Sequence, residues 1–285
     1  LNLNTKTMSM MTSNTSTKKR IGMKKNDRLT INKGMLEYGV MRPYSNISCF
    51  STTRHGGLGE GLYASFNCTH YCGDNPEHVR QNREILCSLL PERPVELVVP
   101  RQTHTTNVRV ITGLPTEEEL QEVDAVVTDL TGYCLCVSTA DCVPVLLYDK
   151  EKKIIAAIHA GWRGTVGRIV EKTLDVMKTE YGTKGENVVA CIGPSISLEA
   201  FEVGDEVYAA FVDAGFDMER IARRYEKWHL DLWEANRLQL LSEGVKEENV
   251  EVAGLCTYYN SDDFFSARRL GVKSGRILSG IMKYK

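Results

Sequence analysis

One segment limits the possible folds more than any other: CVPVLLYDKEKKIIAAIHAGWRG, residues 142–164. It holds two strand-like apolar runs, Val143–Tyr148 and Ile154–His159, joined by the charged DKEKK. If these form a hairpin turning at Lys150–Glu151, Tyr148 lies opposite Lys153, Leu147 opposite Ile154, and Cys142 opposite His159. Opposed residues project to the same side with Cβ atoms about 4.5–5.5 Å apart. A sulfur and an imidazole nitrogen so placed can share one zinc ion, at roughly 2.3 Å and 2.0–2.1 Å. A slip of one residue would send them to opposite faces.

A third ligand is needed, and the chain has six histidines. His55, His70, His78 and His229 sit in polar or helix-start contexts. His104 follows the apolar run VELVVP in RQTHTTN, a loop at a strand end where functional residues collect. Two histidines and one cysteine leave a fourth position open, the catalytic rather than the structural pattern. The same pair supports a second reading, a thiolate–imidazolium dyad of Cys142 and His159, with Asp141 adjacent as a candidate general base. Spacing alone does not separate the two.

After His159 the sequence AGWRGT leads into a periodic helix. Gly161 and Gly164 permit a sharp turn, the helix start offers free N–H groups, and Arg163 adds a planar donor fork. A phosphate fits there, with Arg163 and Gly164 as binding residues. Arg54, in the Gly-rich run TRHGGLGEGLY, is a second candidate anion partner, although that run matches neither a Walker nor a dinucleotide pattern. Cys68-x-His70-x-Cys72 lacks the second cluster that would complete a zinc site. Cys134 and Cys136 alternate within a strand and face one way. The basic groups of SARR (266–269) and Arg276 read as anchors, not as a nucleic-acid patch.

Further strands are expected at Ile47–Thr52, Val95–Val99, Asn107–Ile111, Ala125–Asp129, Tyr133–Ser138, Val188–Ile192 and Glu251–Cys256. Helices are expected at Pro76–Leu90, Thr165–Tyr181, Asp205–Ala214 and Asp231–Glu243. Strands outnumber helices and do not alternate regularly with them, so an α/β (α+β) domain built on mixed sheets is expected. Residues 1–34 are polar, rich in Thr, Ser, Asn, Lys and Met, and read as a disordered extension with Met23 as an alternative start. Residues 35–285 carry no linker or repeat and read as one domain.

The net charge is −2, so neither a nucleic acid nor a membrane surface is an expected partner. No apolar run approaches the roughly 20 residues of a membrane span, and residues 1–22 lack the apolar core of a signal peptide. The nine cysteines are odd in number and several lie within apolar runs, which points to free thiols in the cytoplasm.

Five segments together resemble the laccase-domain, or YfiH-like, family: RQTH (101–104), STADCVPVLLYD (138–149), HAGWRGT (159–165), IGPSI (192–196) and FFSARR…GR (264–276). TTRHGGLGEGLYASFN and the later NRE fit its N-terminal part, so the resemblance spans residues 46–283. Members of this family are called multicopper polyphenol oxidases or purine nucleoside phosphorylases. The resemblance implies a single domain of layered mixed sheets flanked by helices, with one zinc ion on His104, Cys142 and His159. It also implies phosphorolysis of adenosine, inosine, guanosine and methylthioadenosine, and deamination of adenosine. Some relatives are instead credited with an amidase that edits a peptidoglycan precursor, which matches the dyad reading. Multicopper oxidases need paired His-x-His ligands, and no two of the six histidines here are separated by one residue. A single copper in place of zinc, serving polyphenol oxidation, is the form in which the laccase name fits these residues.

Overall fold

Strands Val143–Asp149 (β8) and Ile154–Ala160 (β9) are buried along their whole length, so this hairpin lies in the interior of the molecule. A strand covered on both faces needs apolar side chains throughout, which is why these runs are continuous rather than alternating. Odd-numbered Val143, Val145 and Leu147 join one core, and even-numbered Leu146 and Tyr148 join another. This computed structural model describes residues 29–32 and 34–285.

The hairpin belongs to a six-stranded sheet of order β14 (Val250–Val252), β10 (Val188–Ile192), β8, β9, β6 (Ala125–Thr128), β5 (Val108–Val110). A second six-stranded sheet stacks on it, of order β1 (Thr30–Asn32), β2 (Met35–Glu37), β3 (Ile47–Thr52), β15 (Ile277–Lys283), β7 (Tyr133–Thr139), β4 (Glu96–Val98). Leu135, Val137 and Ile281 from one sheet meet Val126, Leu146 and Ile155 from the other in a shared core. Helix α1 (Pro76–Leu89) covers the far side of the second sheet, where Leu86 packs with Phe50, Cys134 and Leu278. On the far side of the first sheet lie α3 (Ile169–Tyr181) and α6 (Leu232–Ser242), with α2 (Trp162–Val166) and α4 (Asp205–Asp213). A small sheet of β11 (Glu202–Val203), β13 (Trp228–Leu230) and β12 (Ala222–Arg224) packs there too, beside α5 (Met218–Ile221). The short α7 (Ala267–Leu270) precedes β15. Mixed, layered sheets flanked by helices are therefore the architecture, as the strand-rich pattern predicts.

Three expectations need correction. The hairpin register is displaced by two residues: Pro144, not Cys142, pairs with His159, and Tyr148 pairs with Ile155. The turn runs through Lys150–Lys153, with the Lys153 N–H bonded to the Asp149 carbonyl and Lys153 at φ 62. Because side chains repeat every two residues, this displacement leaves Cys142 and His159 on the same face. The long helix expected from Thr165 is broken, since Arg168 takes φ 62 between α2 and α3. Within the extension expected over residues 1–34, Thr30–Asn32 is a strand paired with Met35–Glu37; the remainder of that expectation, with Met23, lies outside the described residues. None of the described helices is long and apolar enough to cross a membrane.

Candidate metal centre

His104, Cys142 and His159 converge at one end of the first sheet, with their ligand atoms all within 4.8 Å of one another. Cys142 comes from the turn entering β8, His159 from the end of β9, and His104 from the loop between β4 and β5. The Cys142 Sγ lies 3.8 Å from His104 Nε2, and the two imidazole centroids are 4.9 Å apart. Sulfur and nitrogen ligands of one tetrahedral zinc ion stand roughly 3.5 Å apart, so the donor set needs little movement to close on a metal. His104 is exposed, Cys142 half-buried and His159 buried, which leaves one side of the cluster open.

Asp124, which sequence reasoning missed, organises the centre. It is fully buried at the entrance to β6, and its carboxylate accepts five hydrogen bonds. Oδ1 takes the His159 Nδ1–H at 2.7 Å and the His104 N–H at 3.0 Å; Oδ2 takes the Thr105 N–H at 2.8 Å and hydroxyl at 2.7 Å, and the Thr103 N–H at 3.3 Å. With Nδ1 protonated and committed to Asp124, His159 presents Nε2 to the cysteine and to any metal. The backbone contacts fix the loop in which His104 adopts φ 65. Gln102 pins the same loop from the other side: its amide donates to the Ser138 carbonyl at 2.8 Å and accepts the Ser138 N–H at 2.7 Å.

The electrostatics follow from this packing. Burial opposes ionisation of the Cys142 thiol, but the His159 and His104 imidazoles outweigh it and bring the thiol down to about 6. Burial likewise opposes the charged form of His159, and the thiolate and Asp124 raise it to about 9. Burial would push the Asp124 carboxyl up, yet the hydrogen bonds from His159 and Thr105 hold it at about 2. A thiolate and a correctly oriented neutral imidazole are the forms in which cysteine and histidine bind metals.

Gly161 has a different role from the one its turn suggested. Its backbone angles, φ −66 and ψ 170, are ordinary, but a Cβ there would sit 2.9 Å from His104 Cδ2 and 3.1 Å from Cys142 Sγ. Only glycine lets the chain pass this close beneath the ligands.

The candidate anion-binding residues divide. Arg163 is exposed, two residues beyond Gly161, with its guanidinium 4.2 Å from the Trp162 ring centroid. The helix it lies on, α2, has five residues, so the strong N-terminal dipole expected of a long helix is not built at this turn. Gly164 is buried against the Thr105 carbonyl and the Ile169 side chain, packing the His104 loop onto α3. Arg54 is an anchor: Nε donates to the Ala64 carbonyl at 2.9 Å and a terminal nitrogen to the Ser261 carbonyl at 2.7 Å, over the Phe265 ring. Asp141 holds the Thr257 hydroxyl and the Arg268 N–H, each at 2.6 Å. Both carboxylate oxygens are therefore engaged, against the role of general base.

The remaining cysteines are free, and Cys68, His70 and Cys72 do not gather into a ligand group among the described residues. Cys134 and Cys136 do face one way, with sulfurs 3.6 Å apart in the core. Arg268 and Arg276 bond backbone carbonyls and serve as anchors.

The family model described as "Multi-copper polyphenol oxidoreductase laccase" matches residues 48–284. A purine nucleoside phosphorylase of Bacteroides thetaiotaomicron is 58% identical over 267 residues, 90% of this chain and 99% of that protein. Adenosine deaminase RL5, from an unknown prokaryotic organism, is 41% identical over 247 residues, 83% of this chain and 94% of that protein. Among solved structures, the hypothetical protein YfiH of Bacillus licheniformis superposes with a TM-score of 0.84 at 27% identity, covering 91% of this chain and all of that one. YlmD of Geobacillus stearothermophilus gives 0.83 at 29% identity, with the same coverage of this chain.

Proposed function

The chain belongs to the multi-copper polyphenol oxidoreductase laccase family, and on that footing we propose a purine nucleoside phosphorylase that also deaminates adenosine, with one zinc ion on His104, Cys142 and His159. The observation that carries this reading is the cluster itself, two imidazoles and a cysteine sulfur with one side open, in which a buried carboxylate holds the His159 ring and the His104 backbone. The names of two relatives, a purine nucleoside phosphorylase and an adenosine deaminase, support the substrate class. Adenosine, inosine, guanosine and methylthioadenosine are the substrates the reading includes. Zinc bound here supplies Lewis acidity, the property that both polarises an acceptor and activates water.

The chain's own groups divide the work. Asp124 keeps the proton on His159 Nδ1 and holds the His104 loop, so the ligand set is preorganised. Arg163, exposed two residues beyond Gly161, presents the planar donor fork suited to the phosphate that attacks C1′ of the ribose. Charge then develops on both sugar and base, and the site must stabilise both. The absence of His-x-His pairs argues against a trinuclear copper cluster, so copper enters this reading only as a single ion on the same ligands. Nine free cysteines suit a reducing, cytoplasmic setting.

Incubation of the protein with adenosine, with and without phosphate, and separation of products by chromatography tests the reading. Phosphate-dependent adenine and ribose 1-phosphate, with inosine formed regardless of phosphate, are expected. No product from adenosine, inosine or methylthioadenosine overturns it. A second reading rests on the low thiol of Cys142 beside the raised His159, an ion pair ready for nucleophilic attack on an amide such as that of a peptidoglycan precursor. Activity that survives a chelator but not a thiol alkylator is its signature.

A further inference from the structure

Asp141 stands immediately before Cys142 with its backbone at φ 89, a conformation that residues other than glycine rarely adopt. It is 9% exposed, and three stretches distant in sequence meet on it. Its carbonyl accepts the Ile196 N–H at 3.0 Å, Oδ1 accepts the Thr257 hydroxyl at 2.6 Å, and Oδ2 accepts the Arg268 N–H at 2.6 Å. The segment it grips is braced elsewhere too. The Arg268 guanidinium donates to the Glu202 carbonyl at 3.2 Å, and the Ser266 hydroxyl caps the Arg269 N–H at 3.2 Å. This braced segment carries Tyr258, with the Arg269 guanidinium 5.3 Å from its ring centroid, and the exposed Tyr259. Aromatic faces and a guanidinium form a surface suited to a flat heteroaromatic base.

We propose that Asp141 is a positioning residue that, through Thr257 and Arg268, sets the 257–270 segment as the wall of the Cys142 site against which a purine base rests. This rests on the nucleoside reading for its kinetic arm. A carboxylate acting as proton acceptor needs a free oxygen facing the substrate, whereas both oxygens of Asp141 hold protein donors at short range. Asparagine tolerates the left-handed backbone and keeps the volume, but its amide cannot accept from both partners.

The test uses Asp141→Asn and Thr257→Val in the full chain, with inosine phosphorolysis as the assay. Loss of one hydrogen bond to a charged group predicts a KM raised about tenfold with kcat nearly unchanged. Exchange of the Arg268 amide with deuterated solvent, read by mass spectrometry or NMR, is expected to quicken about tenfold in Asp141→Asn. Thr257→Val leaves the carboxylate in place, covers the case of a poorly folded Asn variant, and is expected to raise KM in the same way. The double variant is expected to be less impaired than the product of the two single effects, because both act through one link. A kcat reduced a thousandfold at unchanged KM would instead mark a proton-transfer role and overturn the proposal. So would an unchanged KM together with unchanged amide exchange. If the unsubstituted protein cleaves no nucleoside, the functional reading fails, and the amide measurement alone decides whether Asp141 holds the segment.

Discussion

At the scale of single residues, Asp124 carries the most consequences. Asp124→Asn removes the charge that five donors share and places an N–H where a donor already points, leaving His159 in the wrong tautomer for ligation. Zinc affinity is expected to fall roughly 10–100-fold, measured by competition with a chromophoric chelator. Metal-free stability is expected to drop by about 3 kcal/mol in urea unfolding, the scale for breaking a buried charged contact. The pH dependence has a definite sign. A carboxyl at about 2 in the folded protein, below its ordinary value near 3.9, stabilises the fold above that ordinary value, and the contribution is lost as pH falls through 2. Asp124→Asn is therefore expected to flatten the acid limb of the stability profile.

Cys142 gives a second prediction at this scale. With the thiol at about 6, the metal-free protein is expected to react with iodoacetamide at a rate that rises through pH 6 and levels off near pH 7, well below the usual thiol range. Bound zinc is expected to suppress that reaction, and a rate still climbing at pH 9 would contradict the ion pair with His159. The three residues of the candidate centre were legible in the sequence because histidine and cysteine are few and chemically distinctive. Asp124 is one of 37 acidic residues, and its only sequence signal was a carboxylate directly ahead of the buried run AVVT. Nothing local announced the loop that folds over it.

At the scale of elements, the hairpin shows which kind of error a sequence reading survives. The turn absorbs Lys150–Lys153, so the register is displaced by two residues, and a period of two carries Cys142 and His159 back to one face. A displacement by one would have separated them. The helix beyond was legible in its apolar spacing but not in its break, since Arg168 is held at φ 62 by tertiary contacts: its guanidinium stacks 3.8 Å from the Phe216 ring and bonds the Ala214 carbonyl at 2.7 Å. Between β9 and α2 the main chain passes close beside the candidate ligands at Gly161. Gly161→Ala is expected to push His104 and Cys142 apart and lower bound zinc well below one equivalent by atomic emission, with circular dichroism unchanged. Gly113→Ala is the control, because an added methyl there meets nothing within 4 Å.

At the scale of the whole molecule, the sequence reading misses β1, β2, β11, β12, β13 and β15, and the last of these lies at the centre of a sheet. Ile277–Lys283 reads ILSGIMK, and Ser279 and Gly280 interrupt its apolar character. Both are dictated by neighbours: a Cβ at Gly280 would lie 2.7 Å from the Phe50 ring, and the Ser279 hydroxyl hydrogen-bonds Ser51 at 2.6 Å. The strand is buried throughout and pairs with β3 on one side and β7 on the other. A chain ending at Arg276 is expected to lose the near-ultraviolet dichroism and the sharp thermal transition of the full protein, and to bind the dye ANS, as an unpacked sheet does.

That central strand also bears on the order of events during synthesis. The stretch that pairs with residues 47–52 is made long after them, so the ladder between β3 and β15 joins residues as far apart in sequence as Ser51 and Ser279, 228 positions. Contacts so remote in sequence slow folding, because a very large loop must close before any pairing energy is returned. Until β15 emerges from the ribosome, β3 and β7 each present an unpaired edge in what will become the middle of a sheet. The nascent protein therefore passes through a window in which chaperone capture and productive closure compete.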